Sequence, residues 1–285
     1  MKIVVLGAGG QLGQVVTALA RTRHDVTAWT RSELDITQPG ALERALTQAA
    51  PDAVINCAAY ARVDEAEDEP ANVFAINAWA LRDLARLSSA AGFALVHYST
   101  DFVFDGIDEA PRTEADRTNP RGIYATSKLV GEWMAGETQK HYVLRVESLF
   151  GGPGAKSSVD ALLNGLLAQR EVRAFADRTV SPSFVDDVAH ASLALLEQQL
   201  PYGLYHCVNS GCTRWTDVAR ELARLTNRSP SLVIPVNMAD LTLKVPRPLF
   251  AALSNDKLVA AGVPMPTWQD ALARYVSDVT ARRAD

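Results

Sequence analysis

The sequence contains few cysteines. There are three among 285 residues, Cys57, Cys207 and Cys212, and no two of them form a Cys-x-x-Cys pair. So few cysteines exclude a disulfide-rich secreted scaffold, and the missing pair excludes the usual redox and zinc motifs. His206 directly precedes Cys207, but no second ligand pair stands at the spacing of a zinc site. We therefore expect reduced thiols, a cytoplasmic protein and no metal site.

The sequence also lacks a long hydrophobic run and an excess of positive charge. No stretch approaches the ~18 apolar residues of a membrane span, and the apolar run that begins at Ile3 is too short for a signal peptide. The net charge is −5, with 28 basic and 33 acidic side chains and no basic stripe. We therefore expect neither a membrane nor a nucleic acid as a partner.

Strands and helices are predicted to alternate through the first half of the chain. Short β-branched and aliphatic runs predict strands at 3–6, 25–29, 53–57, 93–98 and 142–146. Helical spacing predicts helices at 11–21, 41–50 and 70–91. This alternation is typical of an α/β fold, and continuous apolar strands indicate a sheet that is covered on both faces. We predict a Rossmann-like, doubly wound parallel sheet over residues 1–150.

The pattern is less regular after residue 150. The run Gly151-Gly152-Pro153-Gly154 is a break, and helices are predicted at 159–169, 184–200 and 217–225, the last with Thr216 as its N-cap. A further strand is predicted at 203–208. We expect residues 151–285 to form mainly a smaller substrate-binding region, with elements at about 184–210 returning to the nucleotide-binding domain.

A glycine-rich loop follows the first predicted strand directly. Glycines at positions 7, 10 and 13 give the pattern G-x-x-G-x-x-G, with Gln11 and Leu12 at the start of the next helix. Such a loop turns sharply and lets its backbone approach a pyrophosphate, whose charge the N–H groups of the helix start then hold. The pattern predicts a dinucleotide site at Gly7, Gly10, Gln11 and Leu12. A glycine-rich turn in a fold without nucleotide is the alternative.

The end of the second predicted strand indicates which dinucleotide is bound. An acid at this point binds the ribose 2′-hydroxyl of NAD, but the sequence here is Arg31-Ser32, and no acid comes before Glu33. Arg31 suits a 2′-phosphate, so we predict NADPH, with NADH as the second choice. The alternative role for Arg31 is that of a solvated surface cation. Asp35 and Ile36 are expected to border the adenine ring.

Tyr124 and Lys128 lie four residues apart and therefore on one face of a predicted helix. An unperturbed phenol titrates near ~10, and a nearby ammonium favours the phenolate and lowers that pKa. The spacing alone is common by chance, but the pair is a candidate proton donor for chemistry at a carbonyl group.

Residues that close two predicted strands complete this site. Ser99-Thr100-Asp101 ends one strand, and ligands of open parallel sheets lie outside the carboxyl ends of the strands. We expect Thr100 to orient a substrate carbonyl, and Ser99 is the near alternative for this role. The structural alternative is that these hydroxyl groups only cap the end of the strand. Ala58-Ala59-Tyr60 follows another strand, where small residues leave room for a nicotinamide.

These residues together predict a ketone reduction. The cofactor gives hydride to the carbonyl carbon, pre-placed donors stabilise the charge that grows on the oxygen, and Tyr124 donates the proton as general acid. Lys128 is expected to lower the pKa of Tyr124 and to bind ribose hydroxyls. Ser99, Tyr124 and Lys128 are therefore also expected to contact the cofactor.

The assembled motifs resemble those of the extended short-chain dehydrogenase/reductase family, and within it those of the dTDP-4-dehydrorhamnose reductases. The similarity runs over almost the whole length. Its most specific part is Ser99-Thr100-Asp101-Phe102-Val103-Phe104-Asp105-Gly106. Other shared segments are 7–13, 33–37, 56–59, 63–67, 124–128 with Gly131-Glu132, 203–206 and Arg247-Pro248.

The resemblance implies NADPH-dependent reduction of the 4-keto group of a nucleotide-linked 6-deoxyhexose, in the first place dTDP-4-dehydro-L-rhamnose to dTDP-L-rhamnose. The catalytic residues that it implies are Thr100, Tyr124 and Lys128. The substrate contacts that we expect are Val103, Phe104, Ser148 and Arg247. Some relatives hold a magnesium ion that bridges dimers. Its ligands are not matched in this sequence, and a homodimer is left open.

Departures from the family pattern fall near the expected substrate. Val146-Glu147-Ser148 stands where the reductases usually have Thr-Ser-Trp, so that Ser148 replaces a tryptophan that shapes the sugar pocket. Ala61 replaces a usual threonine, and Ser181-Pro182-Ser183 stands where Ala-Pro-Thr is usual. The proton-transfer residues are unchanged, so the resemblance specifies the reaction type more firmly than the sugar.

Two other functions are left open by the sequence. One is a related nucleotide-sugar epimerase, dehydratase or reductase, although dehydratases usually have Asp-Glu after the threonine, whereas Thr100 is followed here by Asp101 and Phe102. The other is a non-catalytic NADP(H)-binding regulatory subunit with the same fold.

Overall fold

The computed structural model describes residues 1–154 and 157–284, and a parallel sheet lies at its centre. The strands are β1 (Lys2–Leu6), β2 (Asp25–Trp29), β3 (Ala53–Asn56), β4 (Ala94–Thr100), β5 (His141–Val146), β6 (Leu149–Phe150), β7 (Val172–Phe175), β8 (Thr179–Val180), β9 (Ser183–Phe184), β10 (Gly203–His206), β11 (Thr213–Arg214) and β12 (Val233–Val236). The helices are α1 (Gln11–Ala20), α2 (Pro39–Ala49), α3 (Pro70–Phe74), α4 (Ala80–Ala91), α5 (Ile123–Ala135), α6 (Ser158–Leu167), α7 (Val185–Glu197), α8 (Trp215–Leu225), α9 (Asp256–Ala260) and α10 (Trp268–Ala284).

The central sheet has the strand order β10-β5-β4-β3-β1-β2, with all neighbours parallel. The chain runs from β1 outward to β2 and then crosses to β3 on the other side of β1. This reversal confirms the doubly wound α/β fold. In such sheets the crevice outside the carboxyl ends at the reversal point is the usual ligand site.

Both faces of the sheet are covered, because side chains alternate along each strand. Ile3 and Val5 belong to one hydrophobic core, which also includes residues of α1 and α7. Val4 and Leu6 belong to a second core on the opposite face, with residues of α2 and α4. This explains why the strands read as continuous apolar runs.

The predicted helix at 70–91 is present, but residues 75–79 form a π turn between α3 and α4. Asn77 in this turn is fully buried. Its amide oxygen accepts a hydrogen bond from the N–H of Tyr60 (2.8 Å), and its amide nitrogen donates to the Tyr60 carbonyl (3.0 Å) and to the Ser127 hydroxyl (3.0 Å). The π turn therefore fixes α5 against the loop that follows β3, and such turns are frequent at functional sites.

The start of α8 differs from the prediction. The helix begins at Trp215, and Thr216 is buried inside its first turn. Arg214 is the N-cap, so the expectation that Thr216 caps this helix is wrong. The reason is that the large ring of Trp215 is also buried, and its packing extends the helix by two residues over the predicted start at 217.

Residues 244–255 return to the first half of the chain. The N–H of Val245 donates to Asp64, and the Arg247 guanidinium pairs with the same carboxylate (2.6 Å). Farther along, the N–H of Arg112 donates to the Ala252 carbonyl (2.9 Å). The 244–255 segment thereby forms one wall beside the carboxyl end of β4.

None of the helices in residues 1–154 and 157–284 combines the length and apolar character that a membrane crossing needs. No group of three or more His, Cys, Asp or Glu side chains in the same ranges is arranged to hold a metal ion.

Candidate active site

A cleft of about 260 Å³ lies at the carboxyl ends of β1, β2 and β3. The predicted cofactor contacts in its lining are Gly7, Gly10, Arg31, Asp35, Ile36, Ala58 and Ala59. Gly9, Leu34, Cys57 and Ile76 complete the wall. The sheet thus brings together three segments that sequence reasoning assigned separately to one dinucleotide.

The glycines of the loop have two different functions. Gly7 has φ +71°, and a Cβ atom there would lie 2.5 Å from the Ala58 nitrogen; a Cβ on Gly13 would lie 2.3 Å from the Gly7 oxygen. These two glycines are required by close contacts within the protein. Gly10 is the N-cap of α1 and lines the cleft, and a Cβ atom there would lie 3.3 Å from the Gly7 oxygen. The first N–H groups of α1 have no intrahelical acceptor, so this cradle fits a diphosphate.

Replacing Gly7 by alanine is expected to destabilise the protein more than the same change at Gly92. Gly92 also has positive φ (+80°), but no atom lies within 4 Å of its Cβ position. Gly92→Ala should therefore cost only the left-handed backbone penalty of about 1–2 kcal/mol. Gly7→Ala should add an overpacking cost of about 1–3 kcal/mol. Urea unfolding of the two variants measures the difference, and equal losses would contradict the close contact with Ala58.

Gln11 and Leu12 are not part of the cleft lining, and their side chains have other contacts. The Gln11 side-chain amide donates to the Gly151 carbonyl (2.8 Å), and Leu12 is buried in the hydrophobic core beneath α1. Tyr60 is likewise buried, with its backbone held by Asn77. Their side chains are therefore engaged within the protein, in contrast to the direct cofactor contacts that the sequence predicted for them.

The Ser99 hydroxyl contacts a buried ion pair and does not face a ligand. Its hydroxyl donates to Glu132 Oε1 (2.5 Å), and the same carboxylate accepts two hydrogen bonds from Arg145 (2.8 and 2.7 Å). The Arg145 and Glu132 side chains are only 4% and 7% exposed. The expected roles of Ser99, as a cofactor contact and as the alternative to Thr100, do not agree with this buried position.

Arg31 is exposed at the rim of the cleft, whereas the carboxylates of the neighbouring acids accept hydrogen bonds within the protein. The Glu33 carboxylate accepts hydrogen bonds from the Thr30 N–H (2.8 Å) and hydroxyl (2.7 Å), and these bonds lower the pKa of Glu33. The Asp35 carboxylate accepts hydrogen bonds from Thr37 in the same way, which lowers its pKa as well. A guanidinium therefore faces any ligand at this end of the cleft.

Thr100 and Tyr124 meet at the carboxyl end of β4. Their side chains are hydrogen-bonded, and the Phe102 ring packs edge-on against the Tyr124 ring at a centroid distance of 5.7 Å. Tyr124 is half-buried, and the desolvation of its hydroxyl group raises its pKa to about 12. The hydrogen bond to Thr100 opposes this shift, and the Asp101 carboxylate adds to it.

Lys128 does not lower the pKa of Tyr124 in this structure, contrary to the prediction. Its amine donates to the Tyr98 carbonyl (2.5 Å) and lies 3.4 Å from His97 Nε2. Lys128 is 3% exposed, and burial lowers its own pKa to about 8, although Glu132 acts in the opposite direction. The physical reason for the correction is that the Lys128 amine is directed to the Tyr98 carbonyl and His97, so that burial rather than a nearby ammonium decides the pKa of Tyr124.

His97 adds to this effect on Lys128. The Asn56 amide is oriented by the Ala58 N–H, which donates to its oxygen (3.1 Å), so the amide nitrogen donates to His97 Nδ1 (3.3 Å). Burial lowers the pKa of His97 well below its usual value, and the neutral ring must then carry its proton on Nε2. That proton faces Lys128 and favours the neutral amine.

Val103 and Phe104 are not exposed to a substrate. Both lie in a small buried core with Leu129, Val208 and Leu253. The expectation that they contact the sugar is therefore wrong, because the turn at Asp101–Val103 points these two side chains into the protein. Phe102 is the aromatic residue that reaches the site, next to Tyr124 and beneath two guanidinium groups.

The guanidinium groups belong to Arg178 and Arg247, at 5.9 and 5.8 Å from the Phe102 ring centroid. Arg247 also lines a cleft of about 630 Å³, where the sequence placed it as a substrate contact. Ser148 has φ +43°, and its hydroxyl donates to Glu147 Oε1 (2.5 Å). A further cleft of about 510 Å³ has Phe175, Arg178 and Trp215 in its lining, none of which the sequence indicated.

Comparison with known proteins places the chain in one family. The sequence profile of the family described as RmlD substrate binding domain matches residues 1–281. The dTDP-4-dehydrorhamnose reductase of Mycobacterium tuberculosis (strain ATCC 25618 / H37Rv) is 37% identical over 279 residues, which are 95% of this chain and 91% of that protein. The probable dTDP-4,6-dihydroxy-2-methyloxan-3-one 4-ketoreductase of Streptomyces antibioticus is 34% identical over 285 residues, 99% of this chain and 96% of that protein.

A solved structure gives the same result. The dTDP-4-dehydrorhamnose reductase of Bacillus anthracis in complex with NADP superimposes with a TM-score of 0.91 at 30% identity, over 97% of this chain and 99% of that one. The glycine-lined cleft and the Thr100–Tyr124 pair stand at the carboxyl ends of adjacent strands, as the fold predicts. The chain belongs to the dTDP-4-dehydrorhamnose reductase family of oxidoreductases.

Proposed function

We propose that this protein uses NADPH to reduce the 4-keto group of a nucleotide-linked 6-deoxyhexose, in the first place dTDP-4-dehydro-L-rhamnose to dTDP-L-rhamnose. The observation that carries the proposal is the position of Tyr124 and its Thr100 partner at the carboxyl end of β4, next to the glycine-lined cleft at the ends of β1, β2 and β3, in a member of this family. A non-catalytic subunit would not need a phenol with a hydrogen-bonded partner and a buried lysine at this point.

The chain's own residues have separate tasks in this proposal. The start of α1 holds a diphosphate, Arg31 binds the 2′-phosphate, and Ala58 and Ala59 leave room beside β3. NADPH supplies the hydride when it is bound. Tyr124 keeps its proton at neutral pH, because its pKa is about 12, and gives it to the carbonyl oxygen as negative charge develops there.

Location and assembly complete the proposal. All three cysteines are free in the structure, which agrees with a reducing, cytoplasmic location. The nucleotide sugar is the proposed partner, and NADH remains the second choice of cofactor. The family resemblance leaves a homodimer and a role for magnesium open.

The direct test is oxidation of NADPH by the purified protein with dTDP-4-dehydrorhamnose made in situ. The proposal expects loss of NADPH absorbance and formation of one dTDP-L-rhamnose per NADPH consumed. The regulatory alternative expects NADPH binding without oxidation. A protein that binds NADPH tightly and oxidises none of it with this sugar would contradict the proposal.

Replacing Arg31 by alanine is expected to weaken NADPH binding and leave NADH binding nearly unchanged. A charge-assisted contact to the 2′-phosphate is worth about 1.5–3 kcal/mol, which corresponds to about 10–150-fold in Kd. Fluorescence titration with both dinucleotides measures the two losses. Arg44→Ala, which removes an exposed guanidinium on α2, is the control. Equal losses for NADPH and NADH would exclude the 2′-phosphate role.

A further inference from the structure

Two buried carboxyl groups lie behind Thr100 and have no part in the mechanism above. Asp101 is 3% exposed and Glu147 is 1% exposed. Glu147 accepts hydrogen bonds from the Ser148 hydroxyl (2.5 Å) and from the N–H of Ser181. Asp101 Oδ2 is buried and has no hydrogen-bond partner among the described residues. Glu147 is also a departure of this chain, because the family usually has serine at this position.

The charges around this pair are not balanced. Arg178 is the cation that acts on both carboxyl groups, and its guanidinium lies 4.0 Å from Asp101 Oδ2, beyond hydrogen-bond distance. Tyr124 faces Asp101 from α5, and Cys212 faces Glu147. Two anions beside one cation at a buried site are costly, so the pair retains one proton.

The pKa values support one shared proton. Burial raises the pKa of Asp101 to about 6, although Arg178 acts in the opposite direction. Burial, and then repulsion by Asp101, raises the pKa of Glu147 to about 8. The two groups titrate as a unit, so the proton belongs to the pair rather than to one residue.

Hydrogen-bond directions connect Asp101 to Tyr124. The Thr100 hydroxyl donates to Asp101 Oδ1 (2.9 Å) and accepts from the N–H of Phe102 (3.2 Å). The Tyr124 hydroxyl lies close enough to interact with Thr100, whose remaining lone pair is free to accept from it. The Thr100 hydroxyl is thus engaged with Asp101 and Phe102 in this structure, and its orienting role at the substrate carbonyl stays a prediction.

We propose that the Asp101–Glu147 carboxyl pair restores the proton of Tyr124 after each reduction, through the Thr100 hydroxyl. Once Tyr124 is a phenolate, the Thr100 hydroxyl turns its O–H from Asp101 Oδ1 to the phenolate oxygen, and the protonated Asp101 carboxyl turns its O–H to Thr100 Oγ1. The Asp101 O–H bond then breaks as Thr100 Oγ1 takes that proton, and the original hydroxyl proton of Thr100 moves at the same time to the phenolate oxygen. The result is a neutral Tyr124, an unchanged Thr100 and an ionised pair, which regains one proton from hydronium or buffer acid in the solvent. Glu147 is a positioning residue in this step, because its presence keeps a proton on the pair.

This inference rests on the proposed function, but its first test needs no substrate. The infrared spectrum of the free protein at pH 7 should contain the carbonyl stretch of one protonated carboxyl group. Glu147→Gln should remove that band, because Asp101 alone beside Arg178 ionises. Glu137→Gln, which changes an exposed carboxylate at the end of α5, should leave the band unchanged.

The second test separates the first turnover from later ones. With enzyme in excess, Glu147→Gln should oxidise NADPH at a rate within about twofold of the unchanged protein, because Tyr124 already carries its proton. Under steady-state conditions kcat should fall about tenfold or more. The decline of kcat at high pH should begin about one to two pH units lower. Asp101→Asn removes the carboxyl group that gives its proton to Thr100. It should likewise leave the first turnover nearly unchanged and lower kcat, and it replaces Glu147→Gln if that variant does not fold.

Different signals report the failure of each idea. Absence of the protonated-carboxyl band at pH 7 would overturn the inference, even in a protein that reduces the sugar. So would a folded Glu147→Gln variant with unchanged kcat and an unchanged pH profile. A band that Glu147→Gln removes, in a protein that oxidises no NADPH with the sugar, would contradict the proposed function and leave the buried proton in place.

Discussion

The Tyr124→Phe variant is expected to lose about 10²–10⁴-fold in kcat, which is the usual contribution of a positioned general acid. Phenylalanine keeps the ring and therefore its edge-on packing with Phe102. The change removes the hydroxyl that is bonded to Thr100 and that delivers the proton. Steady-state kinetics with NADPH and the 4-keto sugar measure the loss, and dinucleotide affinity should change little.

A matched control for this variant is Tyr202→Phe. Tyr202 is 43% exposed, packs against Tyr142 and directly precedes β10, so it lies at the amino end of that strand, whereas the proposed chemistry lies at carboxyl ends. Removal of its hydroxyl should leave kcat unchanged. If Tyr124→Phe lowers kcat by less than about tenfold, Tyr124 is not the general acid, because a group with that role is worth more.

The Glu132→Leu variant is expected to lose about 3–5 kcal/mol of unfolding free energy. This carboxylate holds Arg145 through two hydrogen bonds and also accepts one from Ser99. Its removal leaves a buried guanidinium without a counter-charge, since the other close groups are the neutral His206 ring (3.4 Å) and the Phe104 ring (5.0 Å). Urea unfolding, followed by circular dichroism, measures the loss.

The double variant Glu132→Leu/Arg145→Leu separates the ion pair from simple packing. Because both charges are then absent, it should be more stable than Glu132→Leu alone, in line with the behaviour of buried ion pairs that are replaced by apolar residues. A double variant whose loss equals the sum of the two single losses would show that the pair does not act as a unit.

The parts that could be predicted from the sequence are those that depend on neighbours along the chain. Strand runs, the glycine loop and the absence of an acid before Glu33 are local patterns, and the structure places Gly7, Gly10 and Arg31 in one cleft. Parallel strands then bring their carboxyl ends together without any further information.

The wrong predictions concern features that depend on the direction of a side chain, or on its distance from residues that are far away in the sequence. A run such as Phe102–Phe104 does not show which of its side chains faces the site, because the turn after β4 breaks the alternation of the strand. The partner of Lys128 is the carbonyl of Tyr98, which no spacing on α5 indicates. Asp101, Glu147 and Arg178 come from three separate segments, so their buried cluster has no signature in the sequence.

The return of the 244–255 segment to Asp64 has a consequence for biosynthesis. The lining of the dinucleotide cleft comes from residues up to Ile76, whereas Arg247 can reach Asp64 only after the chain has emerged from the ribosome beyond position 247. Chains emerge with their N-terminal part first. The nascent protein therefore acquires the elements of its nucleotide cradle early, and the wall formed by residues 244–255 closes last. A prematurely terminated product would have the cradle and lack this wall.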